Sequence, residues 1–342
     1  MSLVRPADVV EGAVVSVFRV PPEMAGQRLD VFVHSQLHRT SRTRAQAIIR
    51  ASAYDGAGRR LKPNDRVQPE QHVMLWRPPW DETPVPVEIP VLWEDEHLLA
   101  VSKPALLPVH PTARYCKNTL IKALQAARPE CAFLSLGHRL DRETSGCILL
   151  SKSRDCDRAL KRMLEERRQV EKTYVALTWG VPNPGDGARR FRIERRMELD
   201  VAHRLRVKMR LSDSPEAMYS STRIEVCAVR SRDGREYAWV QCGLDTGRQH
   251  QIRLHLASVG APVVGDKLYG PDDAVFARAA DGEMTDEDLA RLELPRHALH
   301  AARLELPHPI TGAPLVFEAP LPADMVDFWR GAGDETFAAA AS

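Results

Sequence analysis

The sequence predicts an α+β protein with a mixed, largely antiparallel sheet, preceded by a second, smaller α/β domain. Three observations lead there. The 342 residues exceed one typical domain of about 100–200 residues, so about two are expected. Strand-like and helix-like segments follow one another without the strict alternation of a doubly wound sheet. A proline-rich stretch, Arg77-Pro78-Pro79-Trp80-Asp81-Glu82-Thr83-Pro84-Val85-Pro86, separates regions of different character and reads as a stiff linker. The bounds expected are an arm over 1–20, a small domain over 21–80, a linker over 81–90, the larger domain over 91–330 and a frayed tail over 331–342.

In the small domain, Leu29, Phe32, Val33 and Leu37 have helical spacing, and Ser41 stands as an N-cap before Ala45, Ile48 and Ile49. Asp55-Gly56 and Pro63-Asn64 are turn signals, and Val73 to Trp76 reads as a closing strand. Past the linker, short strands are expected at Val91 to Trp93 and Leu98 to Ser102, around the acidic turn Glu94-Asp95-Glu96. More are expected at Cys147 to Ser151, Thr173 to Thr178 and Ala238 to Leu244. Ser153 caps a helix whose apolar face holds Leu160, Met163 and Leu164. A further helix is expected from Arg248 to Val259, with Ile252, His255, Leu256 and Val259 in register and Gly260 as its stop. Asp281 to Glu293 is acidic and reads as an insertion.

Composition excludes several classes. No run of about 18 apolar residues occurs, so no membrane span is expected, and Met1 to Val20 lacks the layout of a signal peptide. The six cysteines (Cys116, Cys131, Cys147, Cys156, Cys227 and Cys242) form no C-x-x-C pair, which suits reduced thiols in a cytoplasmic protein. His250 and His255 lie five apart without an H-E-x-x-H arrangement, so no metal site is expected. The formal net charge is only +2, from 48 Lys+Arg against 46 Asp+Glu. That total still permits a polyanion partner, because basic and acidic regions can cancel. Residues 21–80 hold ten basic residues against five acids, a local +5.

Three segments could carry chemistry. In Gly137-His138-Arg139-Leu140-Asp141-Arg142-Glu143-Thr144-Ser145-Gly146, a carboxylate stands between two guanidiniums, which favour its ionised form. That suits a nucleophile or electrostatic stabiliser better than a general acid; a surface loop with local ion pairs is the other reading. In Val170-Glu171-Lys172-Thr173-Tyr174-Val175-Ala176-Leu177, alternation places Tyr174 on one face with Lys172. There a tyrosine could stack on a base and move a proton, or simply fill the core. In the segment from Asp245 to Leu256, Thr246-Gly247 gives a turn, and Arg248 at a helix start makes a phosphate site. Arg253, one turn further in, could reach an acid from another loop; a solvated amphipathic helix reads equally well.

Together, HRLDRETSG, VEKTYVAL and TGRQHQIRLHL with VVGDKLYG resemble the aspartate, tyrosine and arginine motifs of RNA pseudouridine synthases of the RluA type. The resemblance extends through EDEHLLAVSKP and HALHAARLELPHPITG, roughly Val91 to Phe328. Separately, RLDVFVHSQLHRTSRTRAQAIIR resembles an S4 RNA-binding domain, with Arg28, Arg42 and Arg44 as its candidate RNA contacts.

The resemblance implies the pseudouridine synthase fold and conversion of uridine to pseudouridine in structured RNA, with no metal or redox cofactor. Asp141 would be the essential carboxylate, acting at the ribose or at the uracil. Arg253 would pair with it, Tyr174 would stack on the flipped base and move a proton, and Leu254 would wall the base pocket. Arg139 would fill the vacated stack. Lys103, Arg142 and Lys172 would contact phosphate. His138 is either part of the substrate site or a satisfied structural histidine. Large-subunit ribosomal RNA is the favoured substrate and transfer RNA the alternative, with a monomer as the expected state. A non-catalytic RNA-binding or ribosome-assembly protein is the competing class. A deaminase or hydrolase would want a zinc motif or a second acid.

Overall fold

The computed structural model describes residues 5–37, 40–112, 114–166, 169–203, 205 and 207–332. Arg39 and most of the expected tail lie outside the described residues. The chain divides into two compact units, Met1–Glu82 and Thr83–Ser342.

In the first unit, β1 (Val14–Arg19), α1 (Leu29–Gln36), α2 (Arg42–Ser52), β2 (Ala53–Asp55) and β3 (His72–Arg77) form an antiparallel sheet of order β1-β3-β2 with two helices. Ser41 caps α2 as expected, its hydroxyl accepting the Arg44 N–H at 3.2 Å. Leu29, Phe32, Val33, Ala45 and Ile49 give the helices a common apolar face. The expected arm is corrected here: Val14–Arg19 alternates against β3 as a full strand.

The second unit contains β4 (Val91–Glu94), β5 (Leu98–Lys103), α3 (Leu120–Ala127), β6 (Ser135–Leu136), β7 (Ser145–Ser151) and α4 (Arg154–Glu166). It continues with β8 (Glu171–Trp179), β9 (Arg190–Leu199), β10 (Met209–Leu211), β11 (Met218–Arg232), β12 (Arg235–Leu244) and α5 (Gln251–Ser258). The last elements are α6 (Ala274–Asp281), α7 (Asp286–Leu292), β13 (Leu299–Pro307), β14 (Pro314–Glu318) and α8 (Ala323–Gly331). The described strands make one sheet of order β10-β9-β11-β12-β8-β13-β7-β5-β4, with β14 on β13 and β6 on β7. All pairings are antiparallel except β13 on β7, so the sheet is mixed and mostly antiparallel, as expected.

Two other segments gain detail. The expected linker, 81–90, has no regular structure, and its Val85 and Ile89 pack on the core of the second unit. The acidic segment expected as an insertion packs into that unit as well. Thr285 and Asp288 form a capping box for α7, and Leu292 joins the main core.

The central strands position the site. β8, with Tyr174, runs between β12 and β13, so Tyr174 faces Cys242 on one side and Ala301 on the other. β7 begins directly after the aspartate loop and meets β13 at Gly146, opposite Ala301. Gly146 has φ 111°, and a Cβ there would come 2.2 Å from the Ala301 carbonyl oxygen. Only glycine allows this approach. Gly146→Ala therefore combines backbone strain with a clash against backbone. It should lower the unfolding free energy by about 3 kcal/mol or prevent folding, read by urea denaturation.

Candidate active site

The aspartate loop is tied down along its length. Lys267 donates to the Glu143 carboxylate at 2.9 Å, and the His297 backbone N–H donates to the same group at 3.1 Å. The Thr144 hydroxyl and His297 Nε2 are 2.7 Å apart, and the Ser145 hydroxyl lies 2.9 Å from His300 Nδ1. Arg296 adds a bond to the His297 carbonyl while its other nitrogens clasp Asp324. Polar ties of this number, in a buried setting, remove the loop's freedom before any substrate arrives.

The loop presents Asp141 to Arg253 of α5. Arg253 NH1 donates to Asp141 Oδ2 at 3.0 Å. Its Nε and NH2 make a bidentate pair with Asp266 at 2.6 and 2.8 Å, and the guanidinium lies over Tyr269, 5.2 Å from the ring centre. Asp266 also accepts the Leu268 and Tyr269 N–H groups. Arg253 and Asp266 are buried, whereas the Asp141 side chain remains 31% exposed. Burial pushes the Asp141 carboxyl up, but the charges of His250, Arg253 and His297 and the Arg253 hydrogen bond outweigh it, and the net direction is down. The lasting cation is Arg253. Burial pulls the His250 and His297 imidazoles to about 4 and about 3, so both are neutral near pH 7.

A small open cleft lies beside this carboxylate, lined by Arg139, Asp141, Tyr174, Arg248, His250 and Ile252 among others. Burial, with Asp141 and Cys147 nearby, pushes the Tyr174 phenol far above its usual value, so it is neutral. Arg139 is exposed at the cleft. Arg248 reaches it too, although its Nε is spent on the Tyr219 carbonyl at 3.1 Å.

Other expected site residues lie elsewhere. Lys103, expected on phosphate, is fully buried and donates to the carbonyls of Pro104, Leu107 and Arg142. Burial pulls its ammonium down to about 7. It braces the aspartate loop from inside and is not open to phosphate. Leu254, expected to wall the base pocket, packs with Met197, Met209, Leu268 and Tyr269. α5 begins at Gln251, and its residues 252 and 254 stand about 100° to either side of Arg253, so only one of them can share the cleft with it; that one is Ile252. His138 accepts the Leu149 N–H at 3.3 Å, and burial keeps it neutral, which is the satisfied structural reading. Lys172 lines a neighbouring groove that shares Leu244 with the cleft. Arg142 is half-exposed, donating to the Tyr115 hydroxyl at 3.2 Å.

In the first unit, Arg28 and Arg42 both contact the buried Asp30 carboxylate, at 3.0 and 3.3 Å, and Arg44 is exposed. Motif reading passed over Asp266, His250, Gln251 and Tyr269 as chemistry. The signal for Asp266 was present, as an acid inside the apolar run VVGDKLYG. The buried Gln251 accepts from Thr246 and the Arg248 N–H and donates to Ser221 and Thr222, locking the turn before α5 to β11. No group of three or more acidic, histidine or cysteine side chains able to hold a metal occurs among the described residues.

Buried imidazoles give this scaffold an acid weakness. His255, His297 and His300 are buried, and burial is the main cause drawing them to about 4, 3 and 4. Their folded values lie below the unfolded value of about 6.5. The unfolded chain thus binds more protons in that window, and stability present above about pH 6.5 is lost as pH falls toward 4. The urea midpoint should be lower at pH 5 than at pH 7; an unchanged midpoint would contradict the neutral imidazoles.

Comparison with known proteins agrees with this geometry. A family model described as RNA pseudouridylate synthase matches residues 97–258. Ribosomal large subunit pseudouridine synthase D of Neisseria meningitidis serogroup B is 32% identical over 313 residues, covering 90% of this chain and 79% of that protein. The protein of the same name from Xylella fastidiosa is 34% identical, with 90% and 89% covered. Among solved structures, human RNA pseudouridylate synthase domain containing 4 is 26% identical with a TM-score of 0.52, covering 69% of this chain and 90% of that one. An aspartate loop, a tyrosine strand and an arginine helix meeting at one cleft, in a chain so related over most of its length, place it in the RluA family of RNA pseudouridine synthases.

Proposed function

We propose that this chain isomerises selected uridines of large-subunit ribosomal RNA to pseudouridine at the Asp141 cleft, acting as a cytoplasmic monomer. The observation that carries this reading is a partly exposed carboxylate on the wall of an open cleft, held ionised by a buried arginine at 3.0 Å. The names of the bacterial relatives support ribosomal RNA as the substrate.

The reaction breaks the N1–C1′ bond and forms C5–C1′. The proton lost from C5 is balanced by one gained at N1, so nothing is consumed. Asp141 supplies the negative charge that meets the ribose or the uracil. Tyr174, neutral and on the cleft wall, stacks on the base and handles a proton through its O–H. A uridine must leave its stack to reach this depth, at a cost of a few kcal/mol. Arg139, exposed two residues before Asp141, fills the vacated position. Arg142, Lys172 and Arg248 meet phosphates near the cleft.

The first unit is an S4-like RNA-binding domain in this scheme, supported by its paired helices and the local +5 of residues 21–80 within it. Arg44 carries an open charge, while Arg28 and Arg42 share Asp30 and contribute one net positive charge between them.

Asp141→Asn should abolish pseudouridine formation while leaving the fold and most RNA binding intact. Arg139→Ala should cost more on structured RNA than on an unpaired oligonucleotide. Mapping pseudouridines in total RNA with and without the protein identifies the substrate. Sites missing from transfer RNA instead would overturn the ribosomal assignment, and turnover by Asp141→Asn would overturn the catalytic one.

A further inference from the structure

His250 is held more tightly than a filler of the cleft wall requires. It stands at the N-cap of α5 with φ 58°, a left-handed conformation that costs a residue with a Cβ about 1–3 kcal/mol. Its ring meets Tyr269 edge-on, centroids 5.7 Å apart at 76°. Nδ1 lies 3.0 Å from the Tyr269 phenol oxygen, and Nε2 lies 4.0 Å from Asp141 Oδ2.

The phenol decides which ring nitrogen carries the proton. Its oxygen already accepts the Met209 N–H at 2.8 Å. The O–H proton of Tyr269 is then directed to Nδ1 of His250, its hydrogen-bond acceptor among the described residues. A neutral imidazole that accepts at Nδ1 is protonated at Nε2. The charged groups facing this ring are Arg139, Asp141, Arg253 and Asp266, and with burial they leave it neutral near pH 7. His250 therefore turns a neutral N–H toward the carboxylate.

Asp141 Oδ2 receives Arg253 and is the oxygen nearest Nε2 of His250, whereas Oδ1 has no hydrogen-bond donor among the described residues. We propose that the chain of donors from the Met209 N–H through the Tyr269 O–H to the His250 Nε2–H positions Asp141, steadying Oδ2 and presenting Oδ1 to the substrate. This rests on Asp141 being the reacting carboxylate. A separation of 4.0 Å is too long for a hydrogen bond, and it closes with a movement of about 1 Å; such bonds are often long until substrate binds. His250 acts through Asp141, so it is a positioning residue.

The tautomer is tested first, on the wild-type protein labelled with 15N-histidine, by long-range proton–nitrogen correlations at pH 7. His250 should show the Nε2–H form, and Tyr269→Phe should shift it toward a mixture. A Nδ1–H form or an imidazolium in the wild type overturns the proposal. The kinetic test uses His250→Asn, since asparagine tolerates a left-handed backbone, with unfolding checked alongside. It should lower kcat roughly 10–100-fold with KM changed less than about threefold. His250→Gln, whose amide N–H has comparable reach, should recover at least roughly fivefold of that loss. An unchanged kcat, a loss confined to KM, or a glutamine no better than asparagine overturns the role. Turnover by Asp141→Asn would overturn the function itself, a result the tautomer measurement does not share.

Discussion

The site depends on one guanidinium shared between two carboxylates. Arg253 is buried, and a lone cation there would be costly to desolvate. Asp266 meets it with two parallel hydrogen bonds and is itself fixed by backbone N–H groups of the turn that follows. That pairing leaves NH1 free to reach across to Asp141. The geometry separates two roles that the sequence pattern merges. Asp266 is wholly buried and neutralises the arginine, while Asp141 keeps part of its surface and can meet a substrate. A carboxylate ionised in that way has its counter-charge on one side and still borders an open cleft.

Holding this arrangement is the work of a sheet that crosses between loops distant in sequence. β13 lies between β8 and β7, and it and the residues just before it bring Arg296, His297 and His300 against the aspartate loop more than 150 residues away. The close pass at Gly146 makes that crossing possible. Lys103, at the end of β5, closes the same loop from beneath.

Much of the architecture was legible from local pattern. Ser41 and Ser153 mark helix starts because a side-chain oxygen satisfies an orphan N–H there, and both do so. Strands β4, β5, β7, β8 and β12 fall where apolar runs predicted them, within a few residues. The β11–β12 hairpin was missed although its signal is present. Asp233 and Gly234 both take positive φ in a two-residue turn, the geometry that such hairpins favour. β13 was missed for another reason. Its meaning lies in pairing with β7 and β8, which no window of sequence contains. The same limit governed the site. Motif spacing reached Asp141, Tyr174 and Arg253, but the cleft wall that the family resemblance assigns to Leu254 is formed by Ile252. On α5 the neighbours of Arg253 stand about 100° to either side of it, and only packing against the rest of the sheet decides that Ile252, not Leu254, meets the cleft.

Charge shows the same division between pattern and placement. In the motif segments, cations are abundant, and sequence alone treats them alike. The fold sorts them by access. Lys103, Arg253, Lys267 and Arg296 are buried, and each is bound to a carbonyl or a carboxylate of the scaffold. Removing such a group exposes an unpaired partner in low dielectric, so its contribution is to shape. Arg139 and Arg142, from the same loop, keep exposed guanidiniums, and exposed pairs contribute little to stability. An exposed arginine beside a carboxylate cleft is therefore inexpensive to keep and available to a phosphate. A net charge of +2 says nothing of this, because it counts the buried braces and the open contacts as one.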